Sequence, residues 1–367
     1  MTPLETLIAD LDTPALLVDL PRMETNIRTW QAAISPYRVN LRPHVKTHKV
    51  PAIAQMQLAA GASGITVAKV AEAEVFAAQG CTDIFIAYPV IGVEKWQHVA
   101  QLAQMCTLTV GGESEVGARG LSKALSGAIV RVRVEIDLGL NRSGVRPEQA
   151  EALCKLIVTL PGLELDGIFT FRGASFAGAN NRPIADLARE EGESMVALAQ
   201  QLRSVGIPIR EVSLGSTPTA REAAQVPGVT EVRPGTYVFG DYMMAERGIV
   251  RYEDVALSIL CTVVSRPAAD KATVDGGSKT FCGDIYPPAI NLKGYAKAVG
   301  MDAIIESLSE EHGVVRLGSG ANPQIGDKIA FYPIHVCTTV NLADELIGIR
   351  DGKVSQVFPI LARGKRT

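Results

Sequence analysis

Residues 41–49 read Leu41-Arg42-Pro43-His44-Val45-Lys46-Thr47-His48-Lys49, a short apolar strand running into a basic turn, and Pro51 opens an apolar-periodic helix directly afterwards. This is a β-strand followed by an α-helix, with a lysine at the carboxyl end of the strand. The same alternation recurs outward along the chain. Short apolar or β-branched runs fall at 15–19, 41–45, 64–68, 83–88, 107–111, 129–137, 165–171 and 210–214, with a further run near 236–239. Ala-rich amphipathic stretches fill the gaps at 22–34, 51–60, 70–79, 93–104, 113–125, 147–159, 183–205 and 217–225. Eight βα units of this size predict an α/β fold, a parallel (β/α)8 barrel of the TIM type rather than an open sheet. Active sites of such barrels lie at the carboxyl ends of the strands. Lys46, Arg142, Arg172 and the Gly215–Thr219 turn all fall at such ends.

After about residue 250 the texture changes. Runs at 255–265, 271–276, 313–317, 327–333 and 346–357 read as strands separated by Gly, Pro and Asn turns, and helical periodicity fades. The expected organisation is a barrel over 12–250 and a second, mainly β domain over 251–367.

Bulk properties exclude several classes. A net charge of −3 over 367 residues gives no electrostatic reason to expect nucleic acid or an anionic membrane as partner. No apolar run approaches the roughly 20 residues that span a bilayer. Met1-Thr2-Pro3-Leu4-Glu5 has no basic region leading into an apolar stretch, so no signal peptide is expected. The 6 cysteines are scattered without paired spacing, which suits a reducing cytosol and a cytoplasmic location.

Chemistry gathers at a few places. Desolvation of Lys46 at a strand end, with a second cation nearby, depresses a lysine pKa and favours the neutral amine that attacks an aldehyde. A solvated basic loop fits the same letters. Ser213-Leu214-Gly215-Ser216-Thr217-Pro218-Thr219 follows a strand and opens a helix, a pattern that serves either a phosphate cradle or ordinary helix capping. His335 and Cys337, two apart on a predicted strand, point to one face, and imidazole with thiolate suits zinc. Two such ligands suit an open catalytic site rather than a structural one. A strand that merely carries both residues is the alternative. Lys279 lies in a polar Gly-rich turn after Asp275 and lacks a desolvating strand, so it is no rival to Lys46.

Asp12-Thr13-Pro14-Ala15-Leu16-Leu17-Val18-Asp19-Leu20, followed by Arg42-Pro43-His44-Val45-Lys46-Thr47-His48-Lys49, closely resembles the alanine-racemase-like, fold-type III pyridoxal phosphate enzymes. Within them the chain looks like the D-threonine aldolase and D-serine dehydratase group. The likeness recurs in Asn141-Arg142-Ser143-Gly144-Val145, Gly215-Ser216-Thr217-Pro218-Thr219, Arg233-Pro234-Gly235-Thr236-Tyr237, Ser309-Glu310-Glu311-His312-Gly313 and His335-Val336-Cys337.

The resemblance implies that Lys46 carries pyridoxal 5'-phosphate as a Schiff base and later removes a proton. It implies that Arg142 lies against the ring and its phenolic oxygen, with Gly215, Ser216, Thr217 and Thr219 as the phosphate cradle. Gly235, Thr236 and Tyr237 approach the cofactor, although a buried tyrosine with a satisfied hydroxyl fits Tyr237 equally. His335 and Cys337 become ligands of a divalent metal, zinc or manganese. His312 becomes a group for the substrate carboxylate or a metal-bound water, or else a capping residue on an exposed turn. Residues 1–11 join the β domain, and a head-to-tail homodimer is implied. The stretch Phe169-Thr170-Phe171-Arg172-Gly173-Ala174-Ser175-Phe176 departs from the group, which often has histidines there. A fixed cation at Arg172 suits a substrate with an additional carboxylate, and equally a solvated loop.

The expected function is a metal-assisted lyase on D-β-hydroxy-α-amino acids, eliminating water to give a keto acid and ammonia. The alternative is retro-aldol cleavage to glycine and an aldehyde. An amino-acid racemase shares the fold and the lysine but has no use for the metal pair. A non-enzymatic cofactor-binding protein shares the barrel but not the long β domain.

Overall fold

The computed structural model describes residues 2–172, 182–284 and 292–367. The Gly173-Ala174-Ser175-Phe176 part of the departing stretch lies outside the described residues. Two compact units are present: Thr29–Lys46, Ile53–Gly235 and Gly364–Thr367 form one, and Met1–Arg28, Thr47–Ala52 and Thr236–Arg363 form the other.

Strand β1 (Ala15–Asp19) lies in the second unit. The first unit holds β2 (Asn40–Leu41), β3 (Ile65–Val67), β4 (Asp83–Pro89), β5 (Thr107–Gly112), β6 (Val130–Glu135), β7 (Leu163–Phe169), β8 (Glu211–Leu214) and β9 (Glu231–Val232). They form one parallel sheet in the order β2-β9-β8-β7-β6-β5-β4-β3. The ends of that order meet. His44 bridges Thr66 in parallel, the Thr66 N–H donates to the Pro43 carbonyl at 2.8 Å, and the Ser63 N–H donates to Leu41 at 3.0 Å. The eight strands therefore close as a barrel. Helices at Pro51–Ala59, Val70–Ala78, Val93–Leu102, Glu115–Ala124, Pro147–Thr159 and Ile184–Ser204 match the periodic stretches.

One strand assignment needs correction. Periodicity takes 15–19 as the first barrel strand. In the structure β1 pairs antiparallel with β10 (Leu257–Ala268) and parallel with β16 (Glu345–Arg350), and the eighth barrel strand is β9. Ala15, Leu16, Leu17 and Val18 are all buried, so they read like any strand buried on both faces, whatever its partner. At two residues, β9 is too short to register as a period. The run at 236–239 is a 3-10 turn, Thr236–Val238.

The second unit continues with β11 (Lys271–Val274), β12 (Ala296–Ala298), β13 (Ala303–Leu308), β14 (Gly313–Leu317), β15 (Lys328–Pro333) and β17 (Lys353–Pro359). The sheet order is β11-β14-β13-β12-β15-β10-β1-β16-β17, and β11 also pairs with β10. Six strands thus return on themselves as a β-barrel. Strand β10 serves three neighbours because register shifts between Val263 and Ser265 and between Ser265 and Ala268 bend it. The run read as 346–357 is a hairpin. Asp351 (φ 51) and Gly352 (φ 78) make its two-residue turn, and Asp-Gly is the residue pair such turns favour. Among the described residues no helix is long and apolar enough to cross a membrane.

The interior of the parallel barrel is charged as well as apolar. Glu231 accepts from Arg42 Nε at 2.6 Å, Arg133 Nη1 at 2.5 Å and Ser213 Oγ at 2.7 Å. Arg42 also donates to Asp83 at 2.6 Å and Arg133 to Asp166 at 2.7 Å. Burial alone would raise the Glu231 pKa, but the Arg133 and Arg42 guanidiniums overcome it and hold the carboxyl far below its ordinary range. Removing one member of a buried ion cluster strands the others. Glu231→Gln should lower unfolding stability by about 3–5 kcal/mol, measured as a shift in the urea midpoint. A change below about 1 kcal/mol would mean that the cluster behaves like a surface pair.

Candidate functional site

The barrel presents its sequence-predicted residues at the carboxyl ends of its strands. Lys46 sits in a 3-10 turn, Val45–Thr47, after β2. Its side chain is exposed, so the strand does not bury the amine as the sequence suggests. His44, two residues earlier, has its pKa pushed well below the ordinary imidazole value, first by burial and then by Lys46, Arg233 and Arg142. Its ring is hydrogen-bonded to the Thr66 backbone. Its Nδ1 is buried with no hydrogen-bond partner. His44 is therefore a neutral imidazole within the field of three cations.

Arg142 belongs to a loop shaped by three carboxylates. Asp137 accepts the backbone N–H of Gly139 at 2.9 Å and of Asn141 at 3.1 Å. Asn141 adopts the left-handed conformation (φ 56). The Ser143 hydroxyl donates to Glu135 at 2.9 Å, and the Gly144 N–H donates to Glu113 at 2.6 Å. Arg142 reaches Glu135 at 3.8 Å and lies over the Phe171 ring, its guanidinium carbon 4.9 Å from the centroid. Burial raises the Glu135 pKa against the pull of Ser143 and Arg142.

The Gly215–Thr219 turn is tightly folded. The Ser216 N–H donates to Thr219 Oγ1 at 2.9 Å, and Thr219 caps a helix of only four residues, Ala220–Ala223. The predicted helix 217–225 is shorter than expected, so a helix dipole contributes little. Gly215 is the distinctive position: its φ is +81°, and an added Cβ would lie 3.1 Å from the Ala220 Cα. Thr217 and Thr219 are buried.

Arg172 ends β7. Its guanidinium donates to Glu190 at 3.0 Å and its backbone N–H to Glu191 at 3.1 Å. Sequence reasoning passed over Glu191, a buried carboxyl on the Ile184–Ser204 helix. It also passed over Arg233, which donates to Ser213 Oγ at 2.8 Å and the Thr170 carbonyl at 2.6 Å. The available signal for Arg233 was a charge directly after the apolar Val232. For His44 it was the place two residues before Lys46. Gly235 closes the strand-end segment after β9.

The second unit holds the remaining candidates. Thr236 and Tyr237 are buried in their 3-10 turn. His335 and Cys337 are not on a strand, because β15 ends at Pro333. His335 is the extended N-cap (φ −144°, ψ 113°) of a short helix, Val336–Val340, and Cys337 lies in its first turn. The two side chains nevertheless meet in a hydrogen bond. Burial would lower the His335 pKa, but the Cys337 thiolate and the Asp241 carboxylate reverse this and hold it well above the ordinary value. His312 is exposed in the turn between β13 and β14, where its carbonyl accepts the Ser309 N–H at 2.9 Å. Among the described residues no third His, Cys, Asp or Glu completes a metal-holding cluster with His335 and Cys337. Asp275 accepts from the Thr13 hydroxyl at 2.5 Å and the Thr262 N–H at 2.9 Å, bonds that tie the start of the chain to β10. Lys279 is paired with Glu311 at 2.5 Å.

Residues 18–243 match the alanine racemase, N-terminal domain, family. The chain belongs to that family. Residues 256–349 match the putative serine dehydratase domain. The chain is 36% identical over 365 residues to the D-threonine aldolase of Arthrobacter sp., covering 97% of this chain and 94% of that protein. The crystal structure of D-threonine aldolase from Filomicrobium marinum superposes with a TM-score of 0.91 at 31% identity, over 100% of both chains. D-threo-3-hydroxyaspartate dehydratase from Delftia sp. HT23 gives a TM-score of 0.87 at 33% identity, over 96% of this chain and 98% of that one. That dehydratase is also known as a histidine-to-alanine variant and as a metal-free cysteine-to-alanine variant, the two positions being two residues apart.

Glu191 gives the barrel a pH dependence. Burial lifts its pKa from the ordinary 4.5 to about 7, against the opposing pull of the Arg172 N–H and the charges of Arg233 and Arg172. Well below pH 4.5 the carboxyl is protonated in both folded and unfolded chains. As pH rises from 4.5 to about 7 the unfolded chain releases the proton while the folded chain keeps it. Stability therefore falls across that window, by up to about 3 kcal/mol. Glu191→Gln should remove this slope, so its urea midpoint gains on that of the parent between pH 5 and about 7.5. Parallel profiles for the two proteins would contradict the assignment.

Proposed function

We propose that the protein is a pyridoxal-phosphate-dependent lyase that removes water from a D-configured β-hydroxy-α-amino acid, assisted by a divalent metal on His335 and Cys337. The reading is carried by one observation. A strand-end lysine on a parallel barrel occurs in the same chain as a hydrogen-bonded His-x-Cys pair on the β unit. The spacing of that pair equals the histidine–cysteine spacing altered in the Delftia dehydratase.

The residues suit the cofactor. Lys46, Arg142 and Arg233 supply a cationic mouth for a phosphate and a phenolate. Gly215 bares its backbone, as close approach of a phosphate needs. The Nδ1 of His44 is a buried polar atom in want of a partner. When bound, the cofactor supplies an electron sink for negative charge at Cα. Lys46 would hold it through its amine and would serve as the base toward the α-proton. Arg142 would pair with the phenolic oxygen. Ser216, Thr217 and Thr219 serve the phosphate beside Gly215, and Gly235, Thr236 and Tyr237 border the cofactor.

His335 and Cys337 would hold the metal, whose Lewis acidity assists departure of the β-hydroxyl. The thiolate favours zinc over manganese. His312 takes the substrate carboxylate. Arg172 is the candidate for an additional substrate carboxylate, which must then displace Glu190. A head-to-tail homodimer belongs to the same reading.

A second reading, retro-aldol cleavage, is favoured by the D-threonine aldolase likeness along 97% of the chain. Product analysis separates the two. Cofactor- and zinc-loaded protein is incubated with D-serine, D-threonine and 3-hydroxy-D-aspartate, with and without a chelator. Elimination yields ammonia and a keto acid, both lost on chelation. Glycine with an aldehyde would transfer the assignment to the aldolase, and turnover that survives chelation would remove the metal from it.

A further inference from the structure

Asp241 is wholly buried and stands at the N-cap of a short helix, Tyr242–Glu246. Its Oδ1 accepts the Met244 N–H at 2.8 Å. Its Oδ2 accepts the Val336 N–H at 3.2 Å and lies 3.3 Å from His335 Nδ1. A carboxylate oxygen can only accept, so Nδ1 carries the proton in that contact. The same carboxylate grips both the ring and the next backbone amide. It thereby fixes the rotation of the imidazole against the Val336–Val340 helix that carries Cys337. On the other ligand, the Thr47 hydroxyl lies 3.3 Å from Cys337 Sγ. Thr47 is fully buried. A hydroxyl beside a thiolate donates to it.

We infer that Asp241 and Thr47 are the positioning residues of the metal pair. Asp241 commits Nδ1 of His335 and assigns Nε2 as the metal donor, and Thr47 steadies the Cys337 thiolate. The inference rests on the proposal that His335 and Cys337 bind the metal. Two reasons single these residues out. A ligating histidine regularly gives its other ring N–H to a carboxylate, which fixes the tautomer and raises the basicity of the donor nitrogen. Among the described residues the pair has no third protein ligand, and a two-ligand site has less geometry of its own, so outer contacts carry more of the orientation. The competing account is purely structural: Asp241 caps a helix and Thr47 fills a gap.

The test uses cofactor-loaded full-length protein. Zinc affinity is measured by competition with a chromogenic chelator, and the thiolate-to-cobalt absorption is recorded after loading cobalt(II). His335→Ala and Cys337→Ser are the controls for the pair itself. Asp241→Asn should weaken zinc binding about 10–100-fold while the thiolate-to-cobalt band persists. Thr47→Val should move that band to lower energy, because the sulfur loses a hydrogen-bond donor and becomes a better electron donor. Zinc binding by folded Asp241→Asn within about twofold of the parent would overturn the role of Asp241. If that variant does not fold, Thr47→Val decides, and an unmoved band overturns the outer shell. If neither control weakens zinc binding, the metal pair itself fails and the outer shell falls with it. A lower melting temperature with unchanged affinity and spectrum would leave only the structural account.

Discussion

Glu231 sits inside the ring of parallel strands and accepts from Arg42 beyond β2, Arg133 of β6 and Ser213 of β8. An ion cluster of this kind is a weak source of net stability, because desolvation offsets most of the attraction. What it supplies is registry. A misplaced strand would leave a buried guanidinium without its carboxylate, so the strand ends bearing Lys46, Arg142 and Gly215 are held to one arrangement. The order of the barrel passes in this way from a charge inside it to the chemistry at its rim.

At that rim three cations converge on one imidazole. Burial drives His44 toward its neutral form, and Lys46, Arg233 and Arg142 add to the effect, so the imidazole stays neutral. A neutral ring among cations leaves positive charge with nothing on His44 to balance it. Such a mouth favours an anion carrying several acceptor oxygens. The carboxyls nearby are shifted the same way, since burial raises both Glu135 and Glu191. On the β unit the balance reverses: His335 gains positive character from Cys337 and Asp241.

Much of this was legible in the letters. The helices from Pro51 to Ser204 fall within about two residues of their periodic stretches, because each has an amphipathic face several turns long. The strands β3 to β8 were equally plain, since each is a short apolar or β-branched run. What periodicity could not supply was partnership. Strand β1 has the texture of a barrel strand and belongs to the other sheet, while β9 is too brief to have a texture at all. The His-x-Cys pair came out on a helix N-terminus instead of a strand, and its two side chains still meet. The residues missed, among them His44, Glu191, Arg233 and Asp241, share one property. Their roles come from contacts between segments far apart in sequence, and a lone charge in a sequence most often marks a solvated surface.

The central claim is that the turn after β2 is the point of covalent attachment, and one measurement addresses it directly. Protein loaded with pyridoxal phosphate is reduced with borohydride, digested and mapped by mass spectrometry for the modified lysine. The account predicts a single pyridoxyl group on Lys46. A label on Lys49, Lys69 or Lys279 instead, or one spread across surface lysines, would contradict it.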